Sequence, residues 1–220
     1  MKIRKNPQKR DPEKTQANIL DHAIRAFARA GFNGVGLSEI CEKAGVNKRM
    51  IYHYFKDKDG LYKAVHRQGW KELEEGLLKE LSPSEILSSL STGIEGLLLE
   101  AVEIFYDFIA SHQIFLRLLL WDGLEGGRAS KSLWKEVRGP IFRQIEGLIQ
   151  AAQERGVLSA DLKASHLIVS FIGAISFYFS HAHTMGDIFL KNPLSPEAVT
   201  ERKEQVLGLF KKALQSPEGS

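Results

Sequence analysis

Cysteine is nearly absent: Cys41 stands alone among 220 residues. An intramolecular disulfide and a cysteine-based metal cluster are therefore excluded, and the chain suits a reducing compartment, the cytoplasm by expectation. Prolines number only 7. Three sit in Asp11-Pro12-Glu13, Ser82-Pro83-Ser84-Glu85 and Ser195-Pro196-Glu197, where a capping side chain precedes a proline at the first helical position. Sustained period-two alternation is missing too, and the one Asn33-Gly34 pair is flanked by helical periodicity, so strands are not expected. The longest apolar run, Leu167 to Phe179, is 13 residues and contains Ser170, Gly173 and Ser176. A bilayer span needs about 20 apolar residues, so a buried helix is expected there and no membrane partner. The N-terminal MKIRKNPQKRDPEK is basic but lacks the apolar stretch of a signal peptide. Nucleotide-binding glycine loops, a Gly-x-Ser-x-Gly elbow and an HExxH pair are all missing, which argues against an enzyme. His181 and His183 would point about 200° apart on a helix, so no metal site and no cofactor is expected.

What is present is charge, unevenly spread. Residues 1–67 carry 15 lysines and arginines against 7 acidic residues, while residues 68–220 carry 15 against 20. A basic first third beside an acidic remainder fits a chain whose N-terminal region meets a polyanion; a solvated charged surface without a partner fits the charge equally well. The periodicity is helical nearly throughout. Leu20, Ala23, Ile24 and Phe27 form a stripe on a first helix over about 12–30, ended by Gly31. Leu37, Ile40, Cys41 and Ala44 mark a short second helix, stopped by Gly45. Asn47 can cap a third helix to about Phe55, and Asp57 a fourth reaching about Leu81. Residues 37–55 thus read as helix, glycine turn, helix. Val46, Met50 or Ile51, and Phe55 can pack inward while Lys48, Arg49, Tyr52 and His53 face out, which is chemistry suited to bases and phosphates.

The stretch GFNGVGLSEICEKAGVNKRMIYHYFKDKDGLYKAV resembles the DNA-binding region of the tetracycline-repressor (TetR) family of bacterial transcription regulators. Gly31, Phe32, Leu37, Ile40, Ala44, Gly45, Val46, Ile51, Tyr52, Tyr54, Phe55, Lys58 and Leu61 fall on the family pattern, which covers roughly the first quarter of the chain. Val35, Gly36 and Cys41 depart from it. Where the family carries a hydroxyl that caps the second helix and can bind phosphate, Gly36 offers only backbone, so the phosphate contact there is expected from N–H groups with help from Ser38. The resemblance further implies that Lys48, Arg49 and Met50 face bases, that Tyr52, His53 and Tyr54 hold phosphates, and that Lys58 grips one at the start of the fourth helix. Cys41 reads as a buried thiol in place of a small residue, with redox sensing as the other reading.

Beyond residue 68 the chain reads as a helical bundle, with helices expected at about 84–110, 112–124, 129–155, 161–184 and 196–215. The expected architecture is all-α: a flexible basic tail over 1–10, a three-helix helix-turn-helix DNA-binding domain over 11–56, a helical-bundle ligand-binding and dimerisation domain over 57–215, and a tail over 216–220. ASHLIVSFIGAISFYFSHA is apolar nearly all round and must be buried on every side, which a second subunit would explain. The resemblance implies dimerisation through the last two long helices, with Ile168, Ile172, Ile175, Phe179, Val206, Phe210 and Ala213 as candidates. It also implies a small, hydrophobic effector, for which Phe105, Tyr106, Ile109, Trp121, Trp134, Phe142, Phe171 and Tyr178 are candidate lining residues and His112, Arg138 or His166 candidate polar helpers. The function so implied is a homodimeric DNA-binding regulator, expected to be a repressor released from a near-palindromic operator. The alternative is a helical small-molecule-binding or protein-interaction module that no longer reads DNA sequence.

Overall fold

The computed structural model describes residues 11–80, 93–188 and 192–214. The tails expected over 1–10 and 216–220, the capping box at Ser82 and Glu85, the start of the helix expected at 84, and the side chain of Ala213 lie outside the described residues.

Each early helix begins and ends where its caps dictate. The Asp11 carboxylate accepts the amides of Glu13 and Lys14 and starts α1, Pro12–Ala30. Helix α2, Leu37–Ala44, has Gly36 at its N-cap and ends on Gly45, whose φ of 63° is the left-handed conformation a side chain disfavours. Asn47 Oδ1 accepts the Met50 amide at 3.2 Å and opens α3, Lys48–Phe55. Asp57 Oδ1 accepts the Gly60 amide at 2.7 Å at the head of α4, Lys58–Glu80. Helices α5, Ile94–Ser111, and α6, Gln113–Leu124, follow. Then come α7, Arg128–Ser132, α8, Gly139–Glu154, α9, Ala164–His181, and α10, Pro196–Leu214.

The single helix expected over 129–155 is instead two, joined by a widened turn at Trp134–Arg138. Pro140 is the physical reason. It has no N–H to donate to the turn before it, so the Arg138 and Gly139 amides reach back five residues, to Leu133 and Trp134.

Two main cores divide the chain, and α4 runs through both. The first gathers Ile19, Ala23, Phe27, Ile40, Ala44, Ile51 and Phe55 from α1–α3 with Leu61, Tyr62 and Val65 from the first half of α4. Ile19 fills the place on α1 expected of Leu20, which is only half-buried. The second core takes Trp70, Leu73 and Leu77 from the other half of α4 and packs them with α5, α6, α9 and α10. A smaller third cluster lies between α5, α8 and the start of α9.

A dense seam joins the two units. Glu125, just past α6, accepts the Phe32 and Asn33 amides at 2.8 and 2.9 Å, and Arg117 Nε donates to the Ala28 carbonyl at 3.2 Å. Gly31, at φ 68°, lies under the Trp121 indole; a Cβ there would come within 2.7 Å of that ring. The Phe32 ring carries the Lys58 ammonium and the Arg128 guanidinium, each 4.4 Å from its centroid.

Helix α9 is not buried on every side within one chain. Ile168, Phe171, Ile175, Tyr178 and Phe179 are buried, but Val169 and Phe177 are 68% and 51% exposed. Its 18 residues have the length and composition of a membrane span, yet it packs on α5, α6 and α8 as a helix of the bundle.

Candidate nucleic-acid interface and ligand cavity

Several surface cations flanking α3 are held by carboxylates, and those at the start of α3 are not. Arg25 pairs with Asp21, Arg29 and Lys43 share Glu39, and Lys63 and Arg128 share Asp59. Glu39, held by Lys43 and Arg29, has its carboxyl below the usual range. Lys48 and Arg49 are exposed and make no ion pair among the described residues. Ile51 and Phe55 anchor the opposite face of α3, at 0% and 6% exposure, so the helix cannot turn these cations inward. Tyr52 and His53 are exposed beside them, Met50 and Tyr54 are half-buried, and the His53 and Tyr54 rings meet edge-on at 4.9 Å. Gly36 and Ser38 are exposed at the head of α2, where the free α2 amides face out without a side-chain cap. Lys58 belongs to a different environment: over Phe32, half-buried, its pKa is pushed down by burial against an opposing pull from Glu125. Burial also pushes the Cys41 thiol up, in the first core.

The second feature is a cavity of ≈ 550 Å³ inside the bundle. Its walls come from α4 (Trp70, Leu73, Leu77), α5 (Leu98, Phe105), α8 (Ile141, Phe142, Ile145, Ile149) and α9 (Ile168, Phe171, Ile172, Ile175). Of the residues expected to line a pocket, Phe105, Phe142 and Phe171 do. The other five lie elsewhere. Tyr106 and Ile109 are core residues, the Tyr106 hydroxyl donating to the Val199 carbonyl at 2.8 Å. Trp121 belongs to the seam over Gly31, Trp134 is 46% exposed, and the Tyr178 hydroxyl donates to the Pro193 carbonyl. Conversely, Ile168, Ile172 and Ile175, expected at a subunit interface, face the cavity. Phe179, Val206 and Phe210 are buried within the chain, Phe210 edge-on to Phe171 at 4.1 Å. The physical reason is one of helix faces: composition shows that α9 is apolar all round, but not which side meets its own bundle.

Among the expected polar helpers only Arg138 reaches the cavity; His112 stacks on Phe108 at 4.2 Å and His166 is exposed. Arg138 is the sole charged residue in the lining among the described residues. Its guanidinium lies 4.8 Å from the Trp70 ring centroid and 5.7 Å from that of Phe142.

Below the cavity sits a buried polar group that sequence reasoning missed. His66 and Asp122 are both fully buried. The Asp122 oxygens accept the Ala129 and Ser130 amides at 2.8 and 2.9 Å, capping α7. Burial raises this carboxyl, but its hydrogen bonds from Ser130 and Ala129 outweigh that and hold it below the usual range. Neither His66 nitrogen has a hydrogen-bond partner among the described residues. Burial pushes its pKa down to about 4, against the pull of Asp122 and with the push of Arg138. The one available signal was spacing: Tyr62, His66 and Trp70 recur every four residues along one face of α4.

Comparisons with known proteins agree with this geometry. Residues 19–65 match the family described as bacterial regulatory proteins of the tetR family, and residues 96–209 match the tetracyclin repressor-like C-terminal domain. The HTH-type transcriptional repressor SCO4008 of Streptomyces coelicolor is 31% identical over 159 residues, covering 72% of this chain and 75% of that protein. The repressor NicS of Pseudomonas putida is 27% identical over 179 residues, covering 79% of each. Among solved structures, the hemolysin II transcriptional regulator HlyIIR superposes with a TM-score of 0.64 at 21% identity, covering 94% of this chain and all of that one. The fatty acid degradation regulator FadR of Bacillus halodurans gives 0.62 at 16% identity, covering 91% and 97%. With an unpaired basic face on α3, a bundle cavity behind it and both family regions matched, this chain belongs to the TetR family of bacterial transcription regulators.

Proposed function

We propose that the protein is a homodimeric transcriptional repressor, released from a near-palindromic operator by a small, largely hydrophobic effector in the bundle cavity. The observation that carries this reading is α4. One continuous helix holds the reading unit through Leu61, Tyr62 and Val65 and walls the cavity through Trp70, Leu73 and Leu77. A ligand that reshapes the cavity must push on the helix that aims α3. Relatives named as transcriptional repressors support the negative sign of control.

Recognition would use the exposed start of α3: Lys48 and Arg49 toward bases with Met50 at the edge, and Tyr52, His53 and Tyr54 toward phosphates. Gly36 amides and Ser38 would hold a further phosphate. Dimerisation would use the faces of α9 and α10 left open by the chain's own core. Val169, Gly173 and Phe177 recur every four residues on α9, and Leu209 is 61% exposed beside Gly208 on α10. Nothing would obstruct a Cβ at either glycine, so a partner helix has room to approach. Two copies would set their α3 helices about 34–36 Å apart, one turn of DNA.

Selection of binding sites from a random DNA pool tests the reading. The expected product is an inverted repeat, bound with steep salt dependence. Recovery of no sequence preference, with binding insensitive to salt, would favour the interaction-module alternative.

A further inference from the structure

The cavity's polar end holds donors without acceptors. Arg138 Nε is buried and has no hydrogen-bond partner among the described residues, and the same is true of Trp70 Nε1. Both residues line the cavity. Arg138 makes no ion pair among the described residues. The guanidinium carbon lies over the Trp70 and Phe142 rings, contacts that leave Nε without an acceptor. The nearest compensating charge, Asp122, has both oxygens committed to the α7 amides. A half-buried guanidinium with a buried Nε and a buried indole N–H, both left without acceptors, are costly, and the cost is recovered when an anion supplies the missing oxygens. Apart from Ser130, Ser176 and three glycines, the remaining wall is aliphatic and aromatic.

We propose that the cavity takes an amphipathic anion, with a carboxylate seated on Arg138 and Trp70 and a hydrocarbon tail running among Ile145, Ile149, Ile168 and Phe171. This rests on the reading of the cavity as the effector site, but it specifies the ligand's chemistry. The volume of ≈ 550 Å³ suits a small molecule of medium chain length. Cationic lipophiles are disfavoured, because they would place a second positive charge beside Arg138.

Calorimetric titration of the full-length protein, without DNA, with decanoate, n-decanol and decylamine isolates the head group at constant tail. Decanoate is expected to bind about tenfold or more tighter than decanol, and decylamine weakest. Arg138→Gln should bring decanoate down to the level of decanol and leave decanol within about twofold of its wild-type affinity. Arg138→Lys should retain some of the preference, and Trp70→Phe should reduce decanoate binding alone; these two carry the test if Arg138→Gln fails to fold by circular dichroism. Equal binding of the three ligands, binding of none of them, or an Arg138→Gln variant that weakens all three alike would overturn the proposal. Selective decanoate binding that leaves operator affinity unchanged would defeat the effector reading while leaving the anion specificity standing.

Discussion

Gly36 holds φ −92° and ψ 142°, an ordinary extended conformation, and a Cβ built there meets nothing within 4 Å. Serine therefore fits without strain. Gly36→Ser should raise stability by a few tenths of a kcal/mol in urea denaturation, and should tighten operator binding without changing its salt slope, because it adds a hydroxyl and no charge. Arg49 presents the opposite case, an exposed cation with no ion pair among the described residues. Arg49→Ala should cost about 1–3 kcal/mol on the selected operator and relax preference at one base position, as read by competition among single-base variants. His66 makes a prediction about acid. The folded protein resists its protonation down to about 4, whereas the unfolded chain takes the proton near 6.5. Stability should thus fall as pH drops below 6.5, by about 2–3 kcal/mol at pH 4.5. The carboxyls held low, Glu39, Asp122 and Glu136, lose their contributions only below about pH 4.5, so the window above it belongs to His66. His66→Leu should flatten that slope in denaturant titrations at both pH values; an unchanged slope would place the sensitive group elsewhere.

Among the elements, α4 depends on a residue without a side chain. A Cβ on Gly69 would fall 2.2 Å from Phe115 Cδ2, and the Phe115 ring is fixed by Trp70 at 5.6 Å and Phe108 at 5.7 Å. Gly69→Ala should push α4 off α6 and destabilise by about 1–3 kcal/mol, and Phe115→Leu in the same chain should restore some of the loss. Thermal denaturation of the two variants checks both. Elements of this kind differ in how far sequence revealed them. Helices α1 to α3 were legible because each boundary is written locally, in Asp11, Gly31, Gly45 and Asn47. The break at Trp134–Arg138 was less so, since Gly139-Pro140 passes for a helix start as readily as for an interruption. The cavity wall was only partly legible: Phe105, Phe142 and Phe171 were expected, but the apolar sequence of α9 gives no reason to turn Ile172 inward and Phe177 outward. That choice is made by packing on α5, α6 and α8, between residues remote in sequence. Asp122 and His66 were hidden for the same reason, their relation arising only when α4 and α6 cross.

For the molecule as a whole, assembly should depend on side chains that a single chain leaves in water. Val169→Glu with Phe177→Glu touches no core residue, because both positions are exposed. The double variant should keep its helicity and its thermal transition, sediment as a monomer, and lose operator affinity by orders of magnitude as the two half-sites are no longer engaged together. A double variant that remains dimeric would assign the interface to another face. The same expectation explains the apolar excess of α9, whose outer stripe has no work to do in an isolated protomer.

The clasp of Glu125 on the Phe32 and Asn33 amides, under the Trp121 indole, bears on how such proteins can be recombined. A laboratory fusion that grafts another reading unit onto this body at the α3–α4 corner would separate a pair of surfaces shaped to each other, leaving Glu125 against foreign backbone. Crossovers that carry Arg117, Trp121, Glu125 and Arg128 along with the first helices should yield obedient hybrids, and those that cut between them should yield binders deaf to their ligand. The portable unit in this chain is therefore discontinuous in sequence, an N-terminal segment together with a short piece found some ninety residues downstream.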